Sequence, residues 1–207
     1  MFRELLLARV SGFCALSEAQ LDQLQQHYEL MLKWNEVINL TRIERVEEAV
    51  DRHYAESLFL GTSLPAGSLN IADVGSGAGF PGVPVAVLRP EFEVTLIESH
   101  QRKAVFLKEA CRGLPNVRVV PKRAEDLSRG FDWVVSRAVS WEDMEEMAFS
   151  LAPNLAFLGS EPPGVLDANA GVRIVPLPWD GYRKLIMVWD NPEHKRGDDL
   201  PRTPSPR

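Results

Sequence analysis

Two textures of apolar and polar positions divide the chain. In the first, apolar residues recur at helical spacing. After Ser17-Glu18-Ala19-Gln20, a capping-box pattern, Leu21, Leu24, Tyr28, Met31 and Leu32 share one face, predicting a helix that runs to about residue 38. Asn39-Leu40-Thr41 interrupts it, and a second helix is predicted over residues 46–60, closed by Gly61 and Pro65-Ala66-Gly67. In the second texture, short apolar runs at residues 69–73, 94–97, 117–120, 133–136 and 155–158 alternate with helix-compatible stretches. One such stretch is 102–112, where Val105, Phe106 and Ala110 are read as one side. Strands alternating with helices predict a parallel sheet covered on both faces. Two last runs, 173–176 and 184–189, flank Pro178-Trp179-Asp180-Gly181, the turn signal of an antiparallel hairpin. The expected fold class is α/β: a seven-stranded sheet domain over residues 67–190, preceded by a helical extension over 1–66. Residues 191–207 are polar, with three prolines after Leu200, and are expected to be a disordered tail.

Composition narrows the class. At 207 residues, 45% hydrophobic and 25% charged, the chain is long enough to bury a core without disulfides or metal. No apolar run reaches the length of a membrane span. Arg3, Glu4 and Arg9 interrupt the first apolar stretch, so no signal peptide is expected. Cys14 and Cys111 stand far apart with no Cys-x-x-Cys or Cys/His cluster. That fits a reducing, cytoplasmic location and argues against zinc or any other metal. A net charge of −6 counts against a nucleic-acid partner, but the distribution points the other way. Residues 101–140 hold nine Lys/Arg against four acids. This basic zone reads either as a field for an anionic ligand or as a solvated helix face. On the first reading Arg102, Lys103, Lys122 and Arg123 meet RNA phosphates.

The sharpest motif is Asp73-Val74-Gly75-Ser76-Gly77-Ala78-Gly79-Phe80-Pro81-Gly82, between the first predicted strand and a helix-compatible stretch. Glycines permit positive φ and close backbone approach, and a helix start behind them offers unpaired N–H groups. The dinucleotide fingerprint requires glycine where Phe80 stands. Gly75, Gly77 and Gly79 fit S-adenosylmethionine better, since that ligand has no pyrophosphate. The second strand ends in Glu98, whose carboxylate can accept both hydroxyls of a ribose. Ala124-Glu125-Asp126, after the third strand, reads as an adenine contact or as an acidic helix start. Ser136-Arg137-Ala138, after the fourth, places an arginine for the cofactor's carboxylate, for a substrate phosphate, or as a surface charge.

Taken together, Trp34-Asn35, Asn39-Leu40-Thr41, Arg52-His53 with Ser57-Leu58, the glycine loop extended by Phe80-Pro81-Gly82-Val83-Pro84, Glu98-Ser99, Arg102-Lys103, Phe106-Leu107, Arg123-Ala124-Glu125 and Ser136-Arg137-Ala138 resemble the RsmG (GidB) family. That family methylates N7 of a guanine in the RNA of the bacterial small ribosomal subunit. The resemblance covers about residues 15–160. It implies a class I, Rossmann-like methyltransferase fold, with Gly75, Phe80, Ala124, Glu125 and Arg137 against S-adenosylmethionine and Glu98 on its ribose. Arg52 is then a candidate for an RNA phosphate. His53, with Arg137, becomes a candidate for the catalytic site, at the pocket mouth. A structural role for the Arg52-His53 pair, binding a carbonyl or a helix acid, stands beside that reading. Where the family commonly has Lys-Gly after the fifth strand, this chain has Leu158-Gly159-Ser160-Glu161, which puts a lysine contact to RNA or cofactor in doubt.

The implied reaction is direct methyl transfer to 16S ribosomal RNA, free or in a small-subunit particle, by a monomer without membrane association. Guanine N7 carries a lone pair and no proton, so no general base is required. Phe80 and Trp141 are candidate stacking walls or core residues, and Cys111 is read as packed. Three other readings remain at this point: a small-molecule or protein methyltransferase, a non-enzymic S-adenosylmethionine- or RNA-binding module, and, weakest, a dinucleotide oxidoreductase.

Overall fold

The computed structural model describes residues 1–137, 141–160 and 171–189. Ala138, residues 161–170, the tail 191–207 and the side chain of Trp141 lie outside the described residues.

Helix α1 (Phe2–Val10) precedes α2 (Glu18–Asn35). The capping box at Ser17 forms: its hydroxyl accepts from Gln20 N, and Gln20 Oε1 accepts from Ser17 N. At the other end, Asn35 Oδ1 accepts from both Leu40 N and Thr41 N at 2.9 Å, closing the turn that follows. Residues 46–63 then form one rod with a defect: α3 (Val46–Ala49), a π turn (Val50–Ala55) and α4 (Glu56–Ser63). Apolar periodicity predicts this as a single α-helix. It does not register one wide turn, a feature frequent near functional sites.

Strands β1 (Asn70–Val74), β2 (Glu93–Ile97), β3 (Val117–Val120), β4 (Trp133–Arg137) and β5 (Asn154–Gly159) are parallel. Helices α5 (Gly82–Leu88) and α6 (Gln101–Ala110) follow β1 and β2, and α7 (Trp141–Leu151) precedes β5. β6 (Gly171–Leu177) and β7 (Asp180–Trp189) form the antiparallel hairpin, and β7 inserts between β5 and β6. The strand order is 3-2-1-4-5-7-6, so the connections reverse direction between β1 and β4, where such sheets open a crevice.

Alternation along the strands splits the buried residues between the two faces. Ile71, Leu96, Trp133, Ala156 and Met187 belong to one cluster. Ala72, Val74, Ile97, Val134, Leu155 and Val188 pack with Ala148 and Leu151 of α7 in the other. Leu6, Leu21, Leu24, Met31, Tyr54 and Leu58 join the first cluster, so the N-terminal helices share the sheet's core. The reading of α6 needs one correction. Ala104, Phe106 and Leu107 are buried, but Val105 is 54% exposed. Consecutive helical residues stand about 100° apart, and an arc centred on Leu107 reaches Phe106 without reaching Val105. A fully buried Glu56 joins α4 to the hairpin through a bidentate pair with Arg183, at 2.7 and 2.8 Å.

Because the core is shared, Leu24→Ala is expected to cost about 2–5 kcal/mol. It should leave a single urea transition, with helical circular dichroism and tryptophan fluorescence coinciding. Two separated transitions would mean that the N-terminal helices fold apart from the sheet.

Candidate functional site

The site begins where β1 runs into the glycine loop. Gly75, Gly77 and Gly79 all have positive φ, at 70°, 56° and 92°, a region that side chains disfavour. Besides backbone bonds from Gly75 N and Ser76 N to the Ile97 carbonyl, three side chains hold the loop in this shape. Gly77 N donates to Glu98 Oε2 at 2.9 Å, Gly82 N donates to Asp73 Oδ2 at 3.0 Å, and His27 Nε2 lies 3.0 Å from the Ala78 carbonyl oxygen. A carbonyl only accepts, so Nε2 carries the proton and Nδ1 accepts from the Tyr54 hydroxyl at 2.8 Å. Burial pushes the His27 pKa down to about 4, keeping it neutral in this role. Asp73 is fully buried, and its second oxygen, Oδ1, has no hydrogen-bond partner among the described residues. Burial pushes its carboxyl up to about 7, against the opposing bonds from Gly82 and Ser76.

The glycines therefore divide the work. A Cβ on Gly79 would lie 2.7 Å from Val83 Cγ2 and 3.1 Å from His27 Nε2, and one on Gly82 would overlap Leu96 and Asp73. Gly79, expected against the cofactor, turns its Cα to the core. Gly75 lines a cleft of about 310 Å³ with Val74, Ile97, Glu98, Ser99, Lys122, Arg123, Ala124, Glu125 and Met147. This cleft opens at the carboxyl ends of β1, β2 and β3. Gly75 and Ala124 leave it room, Val74, Ile97 and Met147 give it apolar walls, and Glu98 and Glu125 supply carboxylates. The largely buried Glu98 accepts from Gly77 N on one oxygen and from His100 N, at 2.7 Å, on the other. Each carboxylate oxygen keeps a further lone pair, so a ribose diol fits without breaking either bond.

The remaining expected residues lie apart from this cleft. Phe80 is buried, stacked on His53 at 4.4 Å with an 11° interplanar angle, and the Arg137 guanidinium lies 5.4 Å from its ring centroid. Arg137 Nη1 donates to the Arg52 carbonyl oxygen, in the π turn, at 2.7 Å. His53 requires a correction. It is only 3% exposed, its Nε2 pairs with the Thr41 hydroxyl, and burial with the nearby Arg137, His27 and Arg52 pushes it down to about 2. His53 is thus buried against Phe80 and lines neither the cleft of Gly75 and Glu98 nor those of Lys103 and Arg52, contrary to its expected place at a pocket mouth.

The basic residues also separate. Lys122 and Arg123 border the cleft just described, whereas Arg102 and Lys103 line a second one with His100 and residues 35–39. Arg52 lines a third with Arg45, Trp179 and Asp180. Beyond β5, Lys184 stands opposite Gly159, and its Nζ lies 3.3 Å from the Ser160 carbonyl oxygen. Burial pushes the Cys111 thiol up to about 12, as suits a packed cysteine.

The chain is similar to known proteins in sequence and in shape. The family model described as rRNA small subunit methyltransferase G matches residues 20–156. A protein named Ribosomal RNA small subunit methyltransferase G from Chromobacterium violaceum is 43% identical over 129 residues, 60% of this chain and 61% of that protein. One of the same name from Nitrosospira multiformis is 42% identical over 152 residues, 71% of this chain and 68% of that one. The chain thus spans 61% of the length of the first of these relatives. A solved methyltransferase from Pyrococcus furiosus superposes on 80% of this chain and 99% of its own with a TM-score of 0.52 at 16% identity. This likeness in shape supports the Rossmann-like methyltransferase fold.

The buried titrating groups set opposite pH slopes. Between pH 4 and 6.5 the unfolded chain protonates His27 and His53 while the folded protein does not, so both remove stability as pH falls. Asp73 binds its proton below about pH 7 only when folded, so it adds stability as pH falls. Asp73→Asn is therefore expected to steepen the acid loss by up to about 1.4 kcal/mol per pH unit. Urea melts from pH 4.5 to 6.5 measure this, and a slope equal to wild type would mean that Asp73 is ionised in the fold.

Proposed function

The chain belongs to the rRNA small subunit methyltransferase G family, and from that premise we propose that it transfers a methyl group from S-adenosylmethionine to N7 of a guanine in 16S ribosomal RNA of the small ribosomal subunit. One observation carries the reading: Gly75, Glu98, Ala124 and Glu125, drawn from three separate strand ends, meet around one cleft of about 310 Å³. That cleft suits a nucleoside, with a carboxylate for a diol and apolar walls for a base.

S-adenosylmethionine supplies an activated methyl group on a sulfonium. The chain's residues bind and orient. Glu98 holds the ribose hydroxyls while fixing the glycine loop. Ala124 leaves space for the adenine, and Glu125 accepts from its exocyclic amine. Arg137 stays charged, although burial lowers its pKa to about 10. Its bond to the π-turn carbonyl directs the guanidinium, which serves an anionic group of cofactor or RNA. No residue has to remove a proton, since N7 presents a lone pair. That agrees with a site whose two nearby histidines are buried and neutral. Lys122 and Arg123 at the cleft, with Arg102 and Lys103 beside it, offer cations to the RNA backbone. Arg52 offers another from the hairpin side. The activity belongs to the cytoplasm, where Cys14 and Cys111 stay reduced, and to a single copy of the chain. Among the described residues no helix is long and apolar enough to cross a membrane.

Two measurements test this. Glu98→Gln keeps the side chain's volume but removes half its accepting capacity, and calorimetry is expected to show S-adenosylmethionine bound about 10- to 100-fold more weakly. Unchanged affinity in the folded variant would take Glu98 out of the site. Purified protein, labelled S-adenosylmethionine and small subunits from cells lacking the enzyme should place label in N7-methylguanosine. Arg137→Ala is expected to cut that transfer by about 100-fold or more. Label in another nucleoside would overturn the assigned acceptor. Cofactor binding without label in RNA would overturn the enzyme reading.

A further inference from the structure

Tyr182 is 84% exposed, and no other aromatic side chain among the described residues is exposed to this degree. A single exposed aromatic is ordinary, but the way this one is held is not. Asp180 Oδ1 accepts from both Tyr182 N, at 2.9 Å, and Arg183 N, at 3.1 Å. The next residue, Arg183, is anchored by its bidentate pair with the buried Glu56. The backbone under the ring is therefore fixed from below, while the ring itself faces solvent.

Its position is specific. Lys184 stands opposite Gly159, the last residue of β5, so Tyr182 projects past the carboxyl end of the parallel strands. That is the edge on which the cofactor cleft opens. Lys184 shares the face of Ile186 and Val188, in the cluster that includes Met147 of the cleft, and Tyr182 lies in the irregular turn between Lys184 and Asp180, where the register with β6 breaks. β7 lies three strands from β1, about 14 Å at ordinary strand spacing. A short chain of contacts runs from the end of β4 to the hairpin: Arg137 donates to the Arg52 carbonyl, and the Arg52 guanidinium lies 4.0 Å from Asp180. The 42% exposed Arg52 pairs with Asp180, two residues before Tyr182, and Lys184 follows two residues after it, its Nζ 3.3 Å from the Ser160 carbonyl oxygen.

A solvent-facing ring on an anchored backbone, with cations on neighbouring residues, suits an unpaired base and its phosphate. We infer that Tyr182 is a stacking platform for an unpaired RNA base neighbouring the methylated guanine. The inference rests on the proposed RNA methyltransferase activity and names a residue that positions its substrate.

The test uses the full chain and small subunits lacking the methyl group. Tyr182→Ala is expected to raise KM for the subunit about tenfold, leaving kcat and S-adenosylmethionine affinity unchanged. Tyr182→Phe should restore KM and Tyr182→Leu should not. A benzoyl-phenylalanine photo-crosslinker placed at position 182 should join to 16S ribosomal RNA. Wild-type KM in the Ala variant, equal rescue by Leu, or a crosslink to a ribosomal protein or to nothing would each overturn the platform. If wild-type protein binds S-adenosylmethionine yet methylates no RNA, the activity itself fails, and the platform with it.

Discussion

The cleft depends on one constraint: the backbone from Gly75 to Gly82 must hold three left-handed glycines in a tight loop. Such a path has no secondary structure to sustain it. Besides a few backbone bonds, it is kept by a carboxylate just after β2 on Gly77 N, a carboxylate from β1 on Gly82 N and an imidazole from α2 on the Ala78 carbonyl. Each group serves a backbone atom that a regular ladder would otherwise satisfy. Two of them carry a buried-polar cost, visible in the depressed His27 and the elevated Asp73. Glu98 lies at the intersection, since the carboxylate that shapes the loop also faces the cleft.

The strands and hairpin were legible because each is a short apolar run bounded by turn residues, and β1 to β5 follow the alternation expected of a sheet covered on both sides. That Glu98, Ala124 and Glu125 follow strand ends was legible from the spacing of the apolar runs, and the structure brings all three to one cleft. Other features resisted for physical reasons. His27 stands among Leu24, Tyr28 and Met31 on an apolar stripe, and only its partner fifty-one positions away explains it. His53 sits beside an exposed arginine in the chain, yet the π turn places it in the core beneath Phe80. Periodicity does not report a wide turn. Asp73 was visible only as part of a motif, because its work is done on Gly82 from inside the core.

Charge is used differently at the two ends of the sheet's carboxyl edge. Near β2 and β3, Lys122 and Arg123 line the cleft and form no ion pair among the described residues. Near β7, the pairing of Arg183 with Glu56 is committed to architecture. A buried bidentate pair contributes little net stability against an apolar alternative, but losing one partner is costly, since the other is left charged without compensation. Such a pair suits fixing a hairpin's angle more than deepening the energy well.

The bond between His27 and Ala78 has a consequence for how the molecule comes into being. The loop's shape is stored only in part in its own residues, in bonds such as Gly79 N to the Ser76 carbonyl. The rest is borrowed from α2, upstream, and from Glu98, downstream, while β1 must pair with β2 and also with β4, sixty residues further along in register. Parallel pairing of this kind is non-local and slow to nucleate. A chain still being synthesised can form its α2 helix early, but the cleft is incomplete until residues as distant as His27, which braces the loop, and Met147, which lines the cleft, are both in place. Completion of the cleft therefore waits on chain made well after the glycine loop itself.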